Sequence, residues 1–119
     1  MEDQPISTHA LVSSANVDGT DVYGQAGTIV GTIDHLMIDK VSGKVAYTMM
    51  RFGGFLGFGE GLYPIPWNSL SYDTDKGGFV TAITQKQLED APKRPDRWEV
   101  DRDWEQRTHD YWGQPYYWL

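Results

Sequence analysis

Residues 51–67, RFGGFLGFGEGLYPIPW, decide the fold of this 119-residue chain. Five glycines and three large apolar residues share positions 53–61, so this part can form neither a regular helix nor a regular strand. Residues 62–65 resume an extended pattern, and Pro64 and Pro66 place that strand at the edge of a sheet. The stretch therefore predicts a glycine loop that leads into an edge strand and whose apolar tip is Phe55, Leu56 and Phe58.

Short strands separated by glycine turns flank this loop. Residues 28–39 and 44–52 are the two longest β candidates, and the hairpin loop between them requires Gly43 at a positive φ. Gly31, inside the first of these strands, predicts a β-bulge. Further short strands are expected at residues 8–14, 21–23, 71–73 and 79–83. This organisation indicates a small all-β barrel or sandwich, with helices only towards the C-terminus.

Two helices are predicted after the last strand. Thr84 and Gln87 form a capping-box pattern, and the short helix that they open stops before Pro92. Asp101 is placed to cap a second helix, which Gly113 ends. The chain is therefore expected to divide into a flexible tail, a barrel domain, and a linker with an aromatic helical extension, at residues 1–7, 8–90 and 91–119.

Composition and charge argue against several classes of function. The net charge of −7, with acidic and basic residues interspersed, argues against nonspecific binding to a phosphate backbone. The absence of cysteine removes disulfides, thiolate metal sites and thiol nucleophiles. No signal-peptide pattern is present at the N-terminus, and no apolar stretch approaches the roughly 20 residues that cross a bilayer. We therefore expect a cytoplasmic protein.

Three segments of the chain resemble the PRC-barrel family, whose members include a domain of the photosynthetic reaction-centre H subunit and the C-terminal domain of the bacterial ribosome-maturation factor. The similar segments are residues 21–27, 30–39 and 52–67, and the last is the most specific. The resemblance covers roughly residues 8–90. It implies a mainly β fold, a small, partly open barrel of short antiparallel strands, with a short helix after the last strand.

The resemblance also implies a function. The family has no accepted catalytic centre, and its members act as assembly or adaptor modules. A non-enzymatic protein-interaction role without a cofactor is therefore expected, with a partner of unknown identity. The alternatives are an RNA-processing or ribosome-associated accessory factor, and an accessory to a photosynthetic electron-transfer complex that associates peripherally with a membrane complex.

The residues themselves offer little catalytic chemistry. The glycine loop lacks the spacing of a phosphate-binding loop, and a proline-rich strand follows it in place of a helix. On a regular strand Asp34 and His35 point to opposite faces, while His35 and Asp39 are about 13 Å apart. Ser69 lacks the elbow motif of a hydrolase. His109, near a helix end, is expected to complement the helix dipole. We therefore predict no catalytic, cofactor-binding or metal-binding residue.

The aromatic extension is the strongest functional signal. Residues 91–119 hold four of the five tryptophans and three of the seven tyrosines. So many aromatic rings are expected to be packed against another surface. That surface is their own barrel, a second copy or another protein bound through an aromatic hot spot, or nucleic acid. The interspersed acidic residues disfavour nucleic acid. We predict a self-associating protein, a homodimer. The predicted contact residues are Phe55, Leu56, Phe58, Trp104, Tyr111, Trp112, Tyr116, Tyr117 and Trp118.

The loop tip gives a first test. Changing Phe55, Leu56 and Phe58 together to serine is expected to abolish partner capture in an affinity pull-down and to leave the melting temperature unchanged. The reason is that an exposed apolar tip contributes contact area and no core packing. A large fall in melting temperature would instead make the tip part of the core.

Overall fold

A computed structural model describes residues 11–52 and 61–119. The strands are β1 (Asp21–Tyr23), β2 (Ile29–Ile38), β3 (Val45–Phe52), β4 (Tyr63–Pro66), β5 (Ser71–Asp73) and β6 (Gly78–Val80). The α-helices are α1 (Ser14–Val17), α2 (Gln85–Asp90) and α3 (Arg102–Trp112), and two 3₁₀ helices span Trp67–Ser69 and Trp98–Val100. The predicted loop tip, Phe55, Leu56 and Phe58, lies outside the described residues.

The six strands form one sheet in the order β4-β3-β2-β1-β6-β5. Neighbouring strands are antiparallel except for β1 and β6, which pair in parallel through Val22 with Phe79 and Tyr23 with Val80. Within residues 11–52 and 61–119 no pairing joins β4 to β5, so the sheet does not close. The prediction of a mainly β, partly open barrel is confirmed, with one parallel pair among the expected antiparallel ones.

The predicted bulge in β2 lies beside Gly31. Val22 pairs with Gly31 and Tyr23 pairs with Ile29, so Val30 is the extra residue on β2. A Cβ atom on Gly31 would lie 2.4 Å from the carbonyl oxygen of Arg51 on β3. Only glycine therefore allows the two backbones to approach this closely.

The barrel core lies on the inner face of the sheet. Every strand except β5 contributes a buried residue, and α1 and α2 each add one apolar side chain. Leu36, Tyr63, Trp67, Tyr72 and Trp112 pack partly buried against it. The buried members are Val17, Val22, Val30, Ile33, Met50, Phe52, Ile65, Leu70, Phe79, Ile83 and Leu88.

Strand β3 is covered on both faces. Met50 and Phe52 enter the barrel core, whereas Tyr47 and Met49 belong to a second apolar cluster. This second cluster also contains Ala46, Trp98 and Trp104, with Met37, Leu62 and Tyr117 at its border. Successive side chains on a strand point to opposite faces, so the outer face of β3 needs a cover of its own. The C-terminal segment supplies that cover.

The helix boundaries follow the predicted capping residues. The Thr84 hydroxyl accepts from the Gln87 amide, and the Gln87 side chain accepts from the Thr84 amide, which completes the capping box of α2. Asp101 accepts from the Trp104 amide at the start of α3, and Gly113 ends it at φ 70°. Gly43 takes φ 79° in the hairpin, as predicted. Among the described residues no helix is long and apolar enough to cross a membrane.

The strand predicted at residues 8–14 is wrong where the structure describes it. Residues 11–13 form no strand, and Ser14–Val17 is a short helix. Ser13 caps this helix by accepting from the Ala15 amide, and Val17 is buried in the barrel core. Serine favours such a local cap over a sheet ladder, which the apolar pattern alone did not show.

Gly31 gives a test of the β2–β3 approach. Gly31→Ala is expected to lower the free energy of unfolding by about 1–3 kcal/mol because its methyl group would overlap the Arg51 carbonyl. Gly43→Asn is the control: its Cβ meets open space, and asparagine tolerates positive φ, so the loss stays below about 1 kcal/mol. Urea denaturation measures both, and equal losses would contradict the close approach.

Candidate interaction site

The C-terminal cap, defined here as residues 98–119, packs on the outer face of β3. Tyr47 lies at the centre of this contact and is 2% exposed. The Trp98 ring meets it edge-on at 5.4 Å between centroids, and Trp104 lies at 6.0 Å. Trp98 and Trp104 also meet each other edge-on at 5.5 Å. The aromatic extension is thus folded onto its own barrel.

A buried carboxylate, that of Glu105, ties the cap to the barrel. The Tyr47 hydroxyl donates to Glu105 Oε2 at 2.7 Å, and the Tyr117 hydroxyl donates to the same oxygen at 2.5 Å. Arg102 Nη1 lies 3.2 Å from Oε1. Both carboxylate oxygens therefore have partners, which a buried charge requires.

This carboxylate also makes the two tyrosines harder to ionise. Burial, and then the hydrogen bond to Glu105, raise the pKa of Tyr47 far above its ordinary value. The same causes in the same order raise the pKa of Tyr117 to about 12. Both hydroxyls therefore stay protonated, and able to donate, throughout the physiological pH range.

His109 fills the space between α3 and the chain end. It is 1% exposed, and its Nδ1 lies 2.8 Å from the Glu105 carbonyl oxygen. A carbonyl can only accept, so Nδ1 carries the proton. His109 does lie in the last turn of α3, where the sequence placed it. Its ring is enclosed by four aromatic rings with centroids at 5.4–6.0 Å, those of Tyr47, Tyr116, Tyr117 and Trp118.

Four neighbouring side chains of the cap, which are exposed or partly buried, are named here the cap surface: Arg102, Tyr116, Trp118 and Leu119. The rings of Tyr116 and Trp118 stack at 4.7 Å with an interplanar angle of 8°. The Arg102 guanidinium carbon lies 3.9 Å from the centre of the Trp118 ring. Leu119 is 86% exposed. Ring stacking, the cation–π contact and the Arg102–Glu105 pair hold this surface in one arrangement.

The predicted contact residues of the cap differ in how deeply the structure buries them. Trp104, predicted as a contact residue, is 1% exposed and lies in the second cluster, so it has no free surface to offer a partner. Trp112 packs partly buried against the barrel core. Tyr117 borders the second cluster, and Tyr111 donates its hydroxyl to the Gln87 carbonyl. Tyr111 is 38% exposed, Tyr116 and Trp118 are partly buried, and the contact role of these rings stays a prediction.

Glu105 and Arg102 were missed by the sequence analysis. An acidic residue in the first turn of a helix is typical of a solvent-exposed position that complements the helix dipole. The signal that could have found Glu105 is its spacing. Glu105 stands three residues before Thr108 and seven before Trp112. At these spacings the three side chains share one face of a helix, and Trp112 indicates that this face packs against the protein.

An irregularity in the pairing of β2 with β3 brings the side chains of Asp34 and His35 together. The pairing of β2 with β3 shifts between Ile33 and His35, and His35 Nδ1 lies 2.6 Å from Asp34 Oδ2. The expectation that these two side chains point apart is therefore wrong, because it assumed a regular strand. The His35 hydrogen bond is the largest cause that lowers the pKa of Asp34, and Arg51 adds to it. Within the described ranges no cluster of three or more metal-ligating side chains occurs.

The open sheet and its aromatic cap define a small, partly open β-barrel domain, and comparison with known proteins names the family. A family model for the PRC-barrel domain matches residues 11–88. The chain belongs to the PRC-barrel domain family, as the sequence resemblance predicted. The matched residues include all six strands, whereas the whole cap, with α3, lies beyond them.

Two further proteins are similar to this chain. An uncharacterized protein of Deinococcus radiodurans is 26% identical over 78 residues, which are 66% of this chain and 27% of that protein. The chain therefore matches only about a quarter of that relative's length. A crystal structure described as a 16S ribosomal RNA processing protein, RimM, of Pseudomonas aeruginosa aligns with a TM-score of 0.41 and 19% identity. That alignment covers 69% of this chain and 49% of the other.

The contacts of the Glu105 carboxylate with Tyr47, Tyr117 and Arg102 predict that a single substitution at position 105 destabilises the protein. Glu105→Gln is expected to lower the free energy of unfolding by about 1.5–3 kcal/mol, because the two tyrosine hydroxyls and Arg102 lose a charged partner. Asp103→Asn is the matched control on the same helix. Its exposed pair with Arg107, at 3.1 Å, accounts for less than about 1 kcal/mol. Chemical denaturation at neutral pH measures the difference, and similar losses would argue against the network.

The raised tyrosine pKa values predict a stability loss at alkaline pH. A group whose pKa is higher in the folded state stabilises that state below its unfolded pKa of about 10, and this contribution is lost as pH rises further. Because the pKa of Tyr117 rises to about 12, we expect stability to fall between about pH 10 and pH 12. Urea melts across this range, with tyrosinate absorbance followed in parallel, measure the loss. A flat profile would contradict it, and Glu105→Gln should reduce the slope.

Proposed function

We propose that this protein is a non-enzymatic protein-interaction module that binds a protein partner through the cap surface. The observation that supports this most directly is the ordered group in which Arg102 and Leu119 are exposed and Tyr116 and Trp118 are partly buried. Membership of the PRC-barrel family is consistent with it. The first partner to test is a second copy of the chain.

The residue types of the cap surface suit protein binding. Tryptophan, tyrosine and arginine are enriched among residues that dominate binding energy at protein interfaces. Trp118 stacks on Tyr116 and under Arg102, so its side chain loses little conformational freedom on binding. The 86% exposure of Leu119 adds apolar area that a partner could cover.

The sheet edges favour side-chain contacts over strand addition. β4 lies at one end of the sheet, and Pro64 and Pro66 lack the N–H groups that pairing uses. β5, at the other end, has only three residues. Short and proline-bearing edges oppose the docking of another strand. A partner would therefore meet side chains, which the cap surface provides.

Self-association places equal surfaces against each other. In a two-fold dimer the same surface of each copy forms the interface, so each aromatic side chain of that surface occurs twice in it. The net charge of −7 on each copy opposes this approach. The proposal therefore predicts a dimer that is stabilised by added salt, in contrast to binding of nucleic acid, which salt weakens.

Two substitutions at the chain end test the cap surface, and the melting temperature is measured beside them because Trp118 also packs against the buried His109. The double variant Trp118→Ala, Leu119→Ser is expected to abolish dimerisation and partner capture. Removing the whole of residues 91–119 would be a poor test, because it would uncover Tyr47 and Met49 on β3. Ile29→Thr is the control, since Ile29 is an exposed apolar residue, at 52%, outside the cap.

Light scattering and an affinity pull-down from the native organism provide the measurements. Full-length protein and Ile29→Thr should behave alike, whereas the double variant should elute as a monomer and capture nothing. Capture that is unaffected by the double variant would reject the cap surface. In that case the loop-tip triple variant tests the remaining predicted contact.

A further inference from the structure

A groove of about 550 Å³ lies beside the cap surface, between the start of β3, the 3₁₀ helix that follows β4, and the chain end. Two of its wall residues, Tyr116 and Leu119, belong to the cap surface. A partner bound at the cap surface therefore meets the groove as well. Six further wall residues are exposed or partly buried: Lys44, Val45, Trp67, Asn68, Gln114 and Pro115.

The groove also contains a hydrogen-bond acceptor that a partner can reach. His109 lines the groove, and because its Nδ1 donates to the Glu105 carbonyl, Nε2 is left as an acceptor. Among the described residues Nε2 has no hydrogen-bond partner, and it is not one of the fully enclosed polar atoms that lack one. A surface that covers the groove must supply a donor to this atom. Asn68, exposed on the same surface, carries an amide donor of the required kind.

The groove is bordered by one cation and one anion, neither of which has a partner of opposite charge. Lys44 is exposed and forms no ion pair within residues 11–52 and 61–119. Asp110 is exposed and has no cationic partner within the same residues. It accepts from the hydroxyl of the wall residue Tyr116 at 2.7 Å, which places it beside the groove. The surface therefore carries both members of a possible ion pair without pairing them itself.

We propose that a second copy of the chain occupies this groove, and that the Leu119 side chain of each copy inserts into the groove of the other. In this arrangement Lys44 of each copy lies opposite Asp110 of the other. The inference rests on the proposed function and names its partner.

The argument for a second copy is that the surface is complementary to itself. A two-fold axis brings a surface against an identical one, so every feature must find its complement on the same surface. Here an uncovered apolar side chain, Leu119 at 86% exposure, lies beside a groove that can receive one. The unpaired charges of Lys44 and Asp110 satisfy the same condition. A partner of different sequence requires only one member of each pair on this surface.

Charge reversal tests the proposed arrangement. Lys44→Glu and Asp110→Lys, each alone, place like charges opposite each other twice in the dimer, and each should weaken dimerisation by about three- to tenfold. An equal mixture of the two variants should dimerise more tightly than either variant alone. In the mixed dimer the two altered side chains, which have opposite charges, face each other, and the native Lys44 faces the native Asp110.

Lys86→Glu and Asp96→Lys provide the matched control. Both positions are exposed and neither lines the groove. Reversing one charge changes the net charge of −7 by two, so both pairs of variants carry −9 and −5. The control mixture should dimerise no more tightly than the better of its two members. Analytical ultracentrifugation over a concentration series measures all of these samples at one salt concentration, because added salt screens the charges.

Leu119→Ser tests the apolar part of the contact. It should weaken dimerisation by about tenfold or more, because two leucine side chains lose their cover in each dimer. Val41→Ser is the control, since Val41 is 95% exposed and does not line the groove. The Trp67 indole resonance should shift with protein concentration in the unaltered chain and in Val41→Ser, but not in Leu119→Ser. Melting temperatures of all variants show whether each one is folded.

Three results would overturn the inference. The first is a chain that stays monomeric up to about 1 mM, in which case capture of a different protein through the cap surface would still support the proposed function. The second is a dimer that the mixture of Lys44→Glu and Asp110→Lys, both folded, does not restore. The third is a dimer that Leu119→Ser leaves unchanged, which would show that the two copies meet elsewhere.

Discussion

The need to cover both faces of β3 governs this structure. Met50 and Phe52 point into the barrel, and Tyr47 and Met49 point out of it, so neither face can be left in water without losing the burial of large side chains. The barrel satisfies one face through its own sheet. The other face requires residues from beyond the barrel, which places α3 and the chain end against Tyr47. The cap surface exists because α3 and the chain end lie there.

The contact between cap and barrel is polar at its centre and apolar around it. Rings surround Tyr47, but Glu105 fixes the register because its carboxylate must meet two hydroxyls and one guanidinium at once. An apolar contact alone tolerates sliding, whereas a buried charge with defined partners does not. Arg102 then serves two purposes, since it pairs with Glu105 and lies over Trp118 on the outer side. The interior network thereby orders the cap surface.

Local signals were sufficient for much of the fold. The capping residues Thr84, Asp101 and Gly113, and the bulge beside Gly31, each express a short-range requirement that the sequence displays directly. The site was less predictable because it depends on pairing across the chain. The sequence could not show that Trp104 faces the barrel, that Tyr47 and Tyr117 are the partners of Glu105, or that a bulge turns Asp34 toward His35. Each of these follows from tertiary packing that overrides the local pattern.

The distance along the chain between Tyr47 and its partner has a consequence for biosynthesis. The hydrogen bond between Tyr47 and Glu105 joins residues 58 positions apart. At translation rates of about 5–20 residues per second, Tyr47 leaves the ribosome roughly 3–12 s before Glu105 does. The hairpin of β2 and β3 can form in microseconds. A nascent sheet therefore presents its outer aromatic face to the ribosome surface and to chaperones for seconds before the cap arrives.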